Sequence, residues 1–165
     1  MSMSNITIPT KSTFIEADGT RFSYRKFGAE TGTPVVFLVH FRGTMENWDP
    51  NMLASIAKER PVILFDNKGV GETNGQAPET ISEMTQDTAT FIKALNLNKV
   101  DLLGFSIGGM VAQELALQEG DLIRRIIIAG SSPEAGINPD SVIFERMNRQ
   151  GGDEDNAIDD FMFFF

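Results

Sequence analysis

A serine flanked by glycines lies in the stretch Gly104-Phe105-Ser106-Ile107-Gly108, between an apolar run and a helix-like run. The glycines of this G-x-S-x-G pattern permit a sharp turn at which side chains would collide with neighbouring backbone. Such a turn exposes the Ser106 hydroxyl as a nucleophile and places the Ile107 N–H at a helix N-terminus, where it can stabilise an oxyanion. The alternative is an ordinary glycine-rich turn. We interpret Ser106 as a nucleophile, because strand, turn and helix occur in the required order.

A second candidate segment is the loop HFRGTMENW, residues 40–48, which follows another apolar run. Its Phe41 or Arg42 N–H can supply the second amide of an oxyanion hole, although alone the segment would be interpreted as a plain surface loop. A serine nucleophile needs a general base, and His40 is the only histidine in the sequence. We expect its ring to hydrogen-bond backbone, a structural role, rather than to act as that base. Trp48 is expected to pack over the sheet or to line the pocket wall.

The segment FDNKGVGETNG, residues 65–75, raises the alternative of a nucleotide-binding protein. The glycines from Gly69 to Gly75 resemble a phosphate loop, but no Lys-Ser/Thr pair follows them and Glu72 would repel a phosphate. A structural glycine loop, with Asp66 ordering the turn, is the preferred interpretation.

The remaining pattern predicts the elements that position these segments. Two alternating strands joined at Asp18-Gly19 predict a hairpin. Four near-continuous apolar runs are typical of parallel strands buried on both faces. These runs are residues 34–40, 61–66, 100–106 and 124–130. Helical segments separate them, and one begins with the capping box of Thr80 and Glu83. The order predicts an α/β fold, a mostly parallel doubly wound sheet with an antiparallel N-terminal hairpin.

Composition narrows the classes of function. The 165 residues are 41% hydrophobic, which suits a folded core. The net charge of −9 argues against nucleic acid and anionic membrane surfaces as partners. Without cysteine and with one histidine, thiolate and multi-histidine metal sites are excluded, and we expect no metal and no cofactor. No signal peptide or bilayer-length apolar run is visible, and the lack of cysteine fits a reducing compartment, so we predict a cytoplasmic location.

In this order and spacing, the segments PVVFLVHFRGT, VILFDNKGVGET and VDLLGFSIGGMVAQELAL resemble the α/β-hydrolase fold superfamily, in its serine esterase and haloperoxidase-like branch. The resemblance extends from the first hairpin to the strand that ends at Ala129. It implies a role for each of the candidate residues: Ser106 as nucleophile, the N–H groups of Ile107 and of Phe41 or Arg42 as oxyanion hole, and His40 as a structural histidine. Phe41 and Lys68 depart from the family, which usually has glycine and arginine there, but neither change removes a catalytic atom.

The family's catalytic acid and base lie later in its chain, after a seventh and an eighth strand, with a helical cap before the seventh. The resemblance therefore implies an incomplete core over residues 1–132 and the truncated beginning of a helical cap over residues 133–165. No histidine follows Ser106, so this chain holds no base for a triad. Some members place the acid after the sixth strand, where Glu134 stands here.

We therefore expect the N-terminal fragment of a serine hydrolase that acts on a small, apolar carboxylic ester or related acyl substrate through an acyl-enzyme. Alone, the chain is expected to be inactive or nearly so. Its sixth strand would present an open edge, which predicts self-association or a complementing chain. Three accounts stay open: a fragment, one piece of an assembly, or a catalytically dead remnant retained for binding. The alternative function is a non-catalytic ligand-binding protein on the hydrolase fold.

Overall fold

The computed structural model describes residues 6–133, in which strands and helices alternate after an N-terminal hairpin. The strands are β1 (Thr13–Ala17), β2 (Thr20–Gly28), β3 (Val35–Leu38), β4 (Pro61–Phe65), β5 (Val100–Phe105) and β6 (Ile123–Ala129). The helices are α1 (Pro50–Ala57), α2 (Ile81–Ala94) and α3 (Ile107–Gln118), and a short 3₁₀ helix spans Met45–Asn47. This order confirms the predicted α/β fold.

The described strands form one sheet in the order β1-β2-β4-β3-β5-β6. β1 pairs antiparallel with β2, and β2 pairs antiparallel with β4. β3 lies between β4 and β5 and is parallel to both, and β5 is parallel to β6. The hairpin turns at Asp18 and Gly19, whose φ angles of 47° and 72° are those of a type I′ turn. The sheet is thus mostly parallel with an antiparallel beginning, as the sequence predicts.

Helices cover both faces of the sheet. On one face, Phe91 of α2 is fully buried, and its ring stacks on Phe65 with 4.3 Å between the ring centroids. On the other face, Leu53 and Ala57 of α1 pack into a second buried cluster with Val62 of β4. These two layers hold the ends of the parallel strands at a common edge.

Helix α2 begins at the predicted capping box. The Thr80 hydroxyl accepts the Glu83 N–H at 3.1 Å, and the Glu83 carboxylate accepts the Thr80 N–H at 3.1 Å. Hydrogen bonds from the N–H groups of Glu79 and then of Thr80 hold the pKa of Glu83 below its ordinary value. Within residues 6–133, no helix has the length and apolar character needed to cross a membrane.

The sixth strand differs from the other three apolar runs. The sequence predicts burial on both faces for residues 124–130, and this is wrong, because Ile126, Ile127 and Ile128 are 38%, 54% and 41% exposed. β6 pairs only with β5 in the described sheet and forms its edge. An edge strand has a neighbouring strand on one side only, so its side chains are less covered than those of a central strand. The open edge expected at this strand is therefore present in the described part of the chain.

An ion triad with a buried carboxylate at its centre joins the amino-terminal ends of β4, β5 and β6. Asp101 of β5 is 3% exposed. Its carboxylate accepts hydrogen bonds from Arg124 Nε at 2.8 Å and Arg124 Nη2 at 2.6 Å, and a third from Arg60. These bonds, chiefly those from Arg124, lower the pKa of Asp101 from its ordinary value. The triad lies at the end of β5 opposite to Ser106.

Candidate active site

Ser106 lies at a strained turn between β5 and α3. Its φ of 55° and ψ of −123° belong to neither a strand nor a helix, and a non-glycine residue held in such a conformation costs about 1–3 kcal/mol. Although Ser106 is the N-cap of α3, its side chain makes no capping hydrogen bond. The hydroxyl is therefore not engaged in capping. The turn has the geometry that a nucleophile requires, and the catalytic role of Ser106 stays a prediction.

The glycines at 104 and 108 are required by close backbone contacts. A Cβ on Gly108 would lie 2.1 Å from the carbonyl oxygen of Leu38, and one on Gly104 would lie 2.4 Å from the Gly108 carbonyl oxygen. Both distances are far shorter than non-bonded contacts of about 3.5–4.0 Å. The beginning of α3 thus packs directly on the backbone of β3. This contact fixes the Ser106 turn against the strand that leads into the loop at residues 40–48.

One oxyanion-hole candidate follows directly from this turn. Ile107 is the first residue of α3, so its N–H belongs to the group of amides that have no acceptor within the helix. The helix dipole adds partial positive charge at this end. The Ile107 amide can therefore stabilise negative charge that develops beside Ser106.

The second candidate segment begins with a tight turn over residues 40–43. The Gly43 N–H donates to the His40 carbonyl oxygen at 2.9 Å. Arg42 has a positive φ of 57°, whereas the φ of Phe41 is not positive. This combination is that of a type II turn. Neither the Phe41 N–H nor the Arg42 N–H donates to an acceptor among residues 6–133.

The sheet brings this turn and Ser106 to the same edge. Leu38 of β3 pairs in parallel with Gly104 of β5. Residues 40 and 106 therefore each follow two positions later, at the carboxyl ends of adjacent strands, where ligands bind in open α/β sheets. The His40 ring meets the Phe105 ring edge-on, with 5.9 Å between the centroids. The predicted meeting of the two segments is thus present.

His40 makes a backbone hydrogen bond, as its predicted structural role requires. Because β3 ends at Leu38, His40 lies in the loop rather than at the end of the predicted strand. Its Nδ1 lies 2.9 Å from the Phe41 carbonyl oxygen, so Nδ1 carries the proton and donates it. Trp48 packs edge-on against Phe37 of β3 at 4.9 Å between ring centroids, which places it over the sheet.

Asp66 joins the glycine loop to the loop that follows β3. Its carboxylate is 3% exposed and accepts the Met45 N–H at 2.9 Å and the Glu72 N–H at 3.1 Å. Gly71, with a φ of 56°, lies so close that a Cβ there would be 2.2 Å from Asp66 Oδ2. Sequence reasoning assigned Asp66 to its own turn and missed Met45. A carboxylate directly after a buried strand was the available signal.

The glycines of residues 69–75 accommodate the chain itself. A Cβ on Gly69 would lie 2.4 Å from the Ala77 nitrogen, and one on Gly75 would lie 3.0 Å from the Lys68 side chain. Lys68, where the resemblance has arginine, places its Nζ 3.2 Å from Asp87 of α2. These contacts support the structural glycine loop rather than the phosphate loop.

Two further anchors hold the 3₁₀ helix, and neither was predicted. Thr44 and Asn47 form a capping box around its first turn, with the Thr44 N–H donating to Asn47 Oδ1 at 2.7 Å. Arg25 of β2, only 7% exposed, pairs with Glu46. The T-x-x-N spacing was a signal for the first anchor. The second joins residues 21 positions apart and leaves no pattern in the sequence.

Replacing Asp66 by alanine should lower the free energy of unfolding by about 2 kcal/mol, because the buried N–H of Met45 and the more exposed N–H of Glu72 would lose their acceptor. Urea titration followed by circular dichroism measures the change. Asp66→Asn keeps one amide acceptor and should lose about half as much. Equal stability of Asp66→Ala and the unmodified chain would contradict this role.

The acid candidate Glu134 lies outside the described residues, as does the predicted cap after residue 133. The boundary at residue 132 stays a prediction. The described residues thus bring together Ser106, Ile107 and the turn that carries Phe41 and Arg42.

Comparison with known proteins fits this geometry. A family model for the α/β hydrolase fold matches residues 33–161. An α/β hydrolase fold protein from Chitinophaga pinensis is 41% identical, with a TM-score of 0.77 over 88% of this chain and 53% of its own. Est816, described as an N-acyl homoserine lactone degrading enzyme, is 28% identical with a TM-score of 0.67, over 77% of this chain and 49% of its own.

Among sequence relatives, a Mycobacterium tuberculosis protein named non-heme bromoperoxidase BpoC is 33% identical over 99 residues. The match covers 59% of this chain and 38% of BpoC. The chain therefore matches about half or less of the length of these relatives. The family model spans most of the sequence and includes the loop after β3, the glycine loop and the Ser106 turn. The chain belongs to the α/β-hydrolase fold family.

Proposed function

We propose that this chain carries the nucleophile of a serine hydrolase that cleaves a carboxylic ester or related acyl bond. The observation that carries the proposal is the strained Ser106 turn, whose hydroxyl caps nothing and precedes the free amides of α3. Ser106 Oγ attacks the acyl carbon and gives its proton to a base. The Ile107 N–H and an N–H of the residue 40–43 turn receive the oxyanion. The proton then leaves with the alcohol, and water releases the acid from the acyl-enzyme.

The general base is the part of this mechanism that the chain does not supply. His40 is its one histidine, and the Nδ1 of that ring is bound to the Phe41 carbonyl. We attribute the acid and the base to polypeptide outside residues 6–133, either further sequence or a complementing chain. Without a base, the rate of acyl transfer rests on binding and the oxyanion hole, on the order of 10³-fold above water or less.

The proposed substrate is small and apolar around its acyl carbon. The Phe41 ring is 41% exposed, and Phe105, Ile107 and Met110 are half-buried at the same end of β5 and α3. Similarity to a lactone-degrading enzyme supports acyl chemistry, because a lactone is a cyclic ester. The carbonyl of such a substrate would meet the amides while its apolar part contacts these side chains.

The proposal predicts that an alkyl fluorophosphonate labels Ser106, and that added imidazole accelerates the labelling because it supplies the missing base. Mass spectrometry of tryptic peptides should locate the adduct, and Ser106→Ala should abolish it. Ser131→Ala is the matched control, since Ser131 lies beside Gly109 at the same edge and should leave labelling unchanged. Labelling of Ser106 no faster than that of other exposed serines would overturn the proposal.

A non-catalytic binding protein is the second candidate function. It is favoured because His40 is the one histidine in the sequence and its Nδ1 is already hydrogen-bonded to the Phe41 carbonyl oxygen. It predicts reversible binding of a small ester, measured by the fluorescence of Trp48, without an adduct at Ser106 even with imidazole present. An adduct would exclude it.

A further inference from the structure

We propose that the Arg42 side chain selects a substrate that carries a carboxylate, and that the Phe41 ring holds its guanidinium in place for this purpose. The inference rests on the proposed function and deepens it, because it names a chemical class: an ester, or a related acyl compound, with a carboxylate beyond its apolar part. The amides of the residue 40–43 turn would receive the oxyanion, while these two side chains would contact a different part of the substrate.

Arg42 is one of two arginines that have no carboxylate partner in the described part of the chain. Residues 6–133 contain six arginines. Four of them form ion pairs, namely Arg21 with Glu16, Arg25 with Glu46, and both Arg60 and Arg124 with Asp101. Arg42 and Arg125 are exposed and lie within 4 Å of no carboxylate among these residues. The chain has 23 acidic and 14 basic residues, so this lack of a partner does not reflect a shortage of carboxylates.

The two unpaired arginines lie at opposite ends of the described sheet. Arg125 lies near the beginning of β6, at the end of the sheet opposite to Ser106. Arg42 lies in the turn that follows β3, where the His40 ring contacts Phe105, the residue before Ser106. Arg42 is therefore the one of the two that lies at the edge with the proposed nucleophile.

The guanidinium of Arg42 is placed over an aromatic ring. Its central carbon lies 5.3 Å from the centroid of the Phe41 ring, within the distance of about 6 Å that is typical of a cation–π contact. The Phe41 ring is itself 41% exposed, so the pair lies at the surface of the turn. A guanidinium in this position keeps the N–H groups along its edge available, and these match the two oxygens of a carboxylate.

The backbone of Arg42 is strained for an arginine. Its φ of 57° lies in the left-handed region, which glycine adopts without strain and other residues adopt at a cost in stability. Positions with such strain cluster at functional sites, where the surrounding structure offsets the cost. A ligand contact made by the Arg42 side chain would give a reason for arginine at a position that suits glycine.

The charges around this turn favour a ligand with a single negative charge. Residues 40–48 contain one arginine, Arg42, and one carboxylate, Glu46. Because the whole chain carries a net charge of −9, a doubly charged phosphate would be repelled more strongly than a carboxylate. The exposed Phe41 ring adds an apolar surface beside the cation. A carboxylate that a short apolar chain separates from the acyl carbon would contact both groups.

The first test measures binding and does not depend on Ser106. Hexanoate and hexanamide have the same length, but only hexanoate is charged at about pH 6.5, where a carboxyl group is ionised. In ¹H–¹⁵N spectra of the full chain, hexanoate should shift the Nε–H signal of Arg42, because the carboxylate accepts a hydrogen bond from the guanidinium. Hexanamide should leave that signal in place, and neither compound should move the Arg125 signal. Equal shifts at both arginines, or none at Arg42, would overturn the proposal.

The second test measures selectivity in the labelling of Ser106. Two alkyl fluorophosphonates are compared in the presence of imidazole, one that ends in a carboxylate and one that ends in its methyl ester. Arg42→Gln should lower the ratio of their labelling rates, carboxylate over ester, by about fivefold, the upper part of the range for an exposed ion pair. Arg42→Lys should lower it less, because lysine keeps the charge and loses the planar fork. Arg125→Gln is the matched control and should leave the ratio unchanged.

The variant Arg42→Gly separates a ligand contact from a role in the fold. Glycine adopts the positive φ without strain, so the melting temperature should stay the same or rise. The ratio of labelling rates should nevertheless fall as it does in Arg42→Gln. An unchanged ratio would overturn the proposal. A lower ratio together with a lower melting temperature would also overturn it, because the side chain would then be supporting the fold.

The outcomes separate this inference from the proposed function. If both fluorophosphonates label Ser106 and the ratio in Arg42→Gln equals that of the unmodified chain, the role of Arg42 is overturned and the nucleophile stands. If neither compound labels Ser106 in any variant, the proposed function is overturned, and the hexanoate titration alone decides whether Arg42 binds a carboxylate.

Discussion

Replacing Gly108 by alanine should lower the free energy of unfolding by about 3 kcal/mol, the upper part of the range for overpacked sites. The added Cβ would lie 2.1 Å from the Leu38 carbonyl oxygen. Neither partner can move aside, because the obstacle is backbone within a central strand rather than a flexible side chain. Separation of α3 from β3 should also bring fluorophosphonate labelling of Ser106 to background. Urea unfolding and the labelling rate measure the two effects.

Gly120→Ala is the matched control for this substitution. A Cβ at Gly120, just after α3, would lie 3.2 Å from the Ala116 carbonyl oxygen, at the exposed end of the helix. The change in stability should stay below about 1 kcal/mol in either direction. Equal stability of Gly108→Ala and Gly120→Ala would contradict the close packing of the beginning of α3 on the backbone of β3.

Replacing Asp101 by asparagine should destabilise the fold by about 3 kcal/mol, since removal of the buried carboxylate leaves both arginines without their counter-charge. Arg60 and Arg124 would lose a shared carboxylate that is 3% exposed. Their side chains are 31% and 35% exposed and can turn partly to water, which keeps the loss at the lower end of the range. Asp87→Asn, which breaks the more exposed pair with Lys68, should cost less than about 1 kcal/mol.

The same carboxylate predicts a pH dependence. The folded chain lowers the pKa of Asp101, chiefly through its hydrogen bonds with Arg124. The resulting stability is fully present above the unfolded pKa of about 3.9 and is lost as the pH falls through the lower folded pKa. Denaturation curves between about pH 5 and pH 2 should therefore show a steeper loss for the unmodified chain than for Asp101→Asn. Parallel pH profiles would contradict the assignment.

Much of the fold could be predicted because local patterns determine it. The apolar runs gave three strands buried on both faces, Asp18-Gly19 gave the hairpin turn, and Thr80 with Glu83 gave the beginning of α2. The Ser106 turn could be predicted for the same reason. Its glycines are required by backbone contacts within a few residues and by the adjacent strand.

Contacts between distant residues could not be predicted. The bond from Met45 to Asp66, the pair of Arg25 with Glu46 and the triad around Asp101 each join separate elements. Their formation depends on strand order, and spacing along the chain does not encode it. The exposure of β6 was mispredicted in part for this reason, since an apolar run looks the same at an edge as in the middle of a sheet.

The close contact between Gly108 and the Leu38 carbonyl has a consequence for which positions of this fold can change in sequence. The Ser106 turn and the residue 40–43 turn extend from neighbouring central strands, and the close approach of Gly108 to the Leu38 backbone helps to set the distance between them. The side chain of Phe41, which is exposed, projects from this framework. If Ser106 is the nucleophile that we propose, substitution of Phe41 can alter which compound is preferred without changing the main-chain contact that positions the serine.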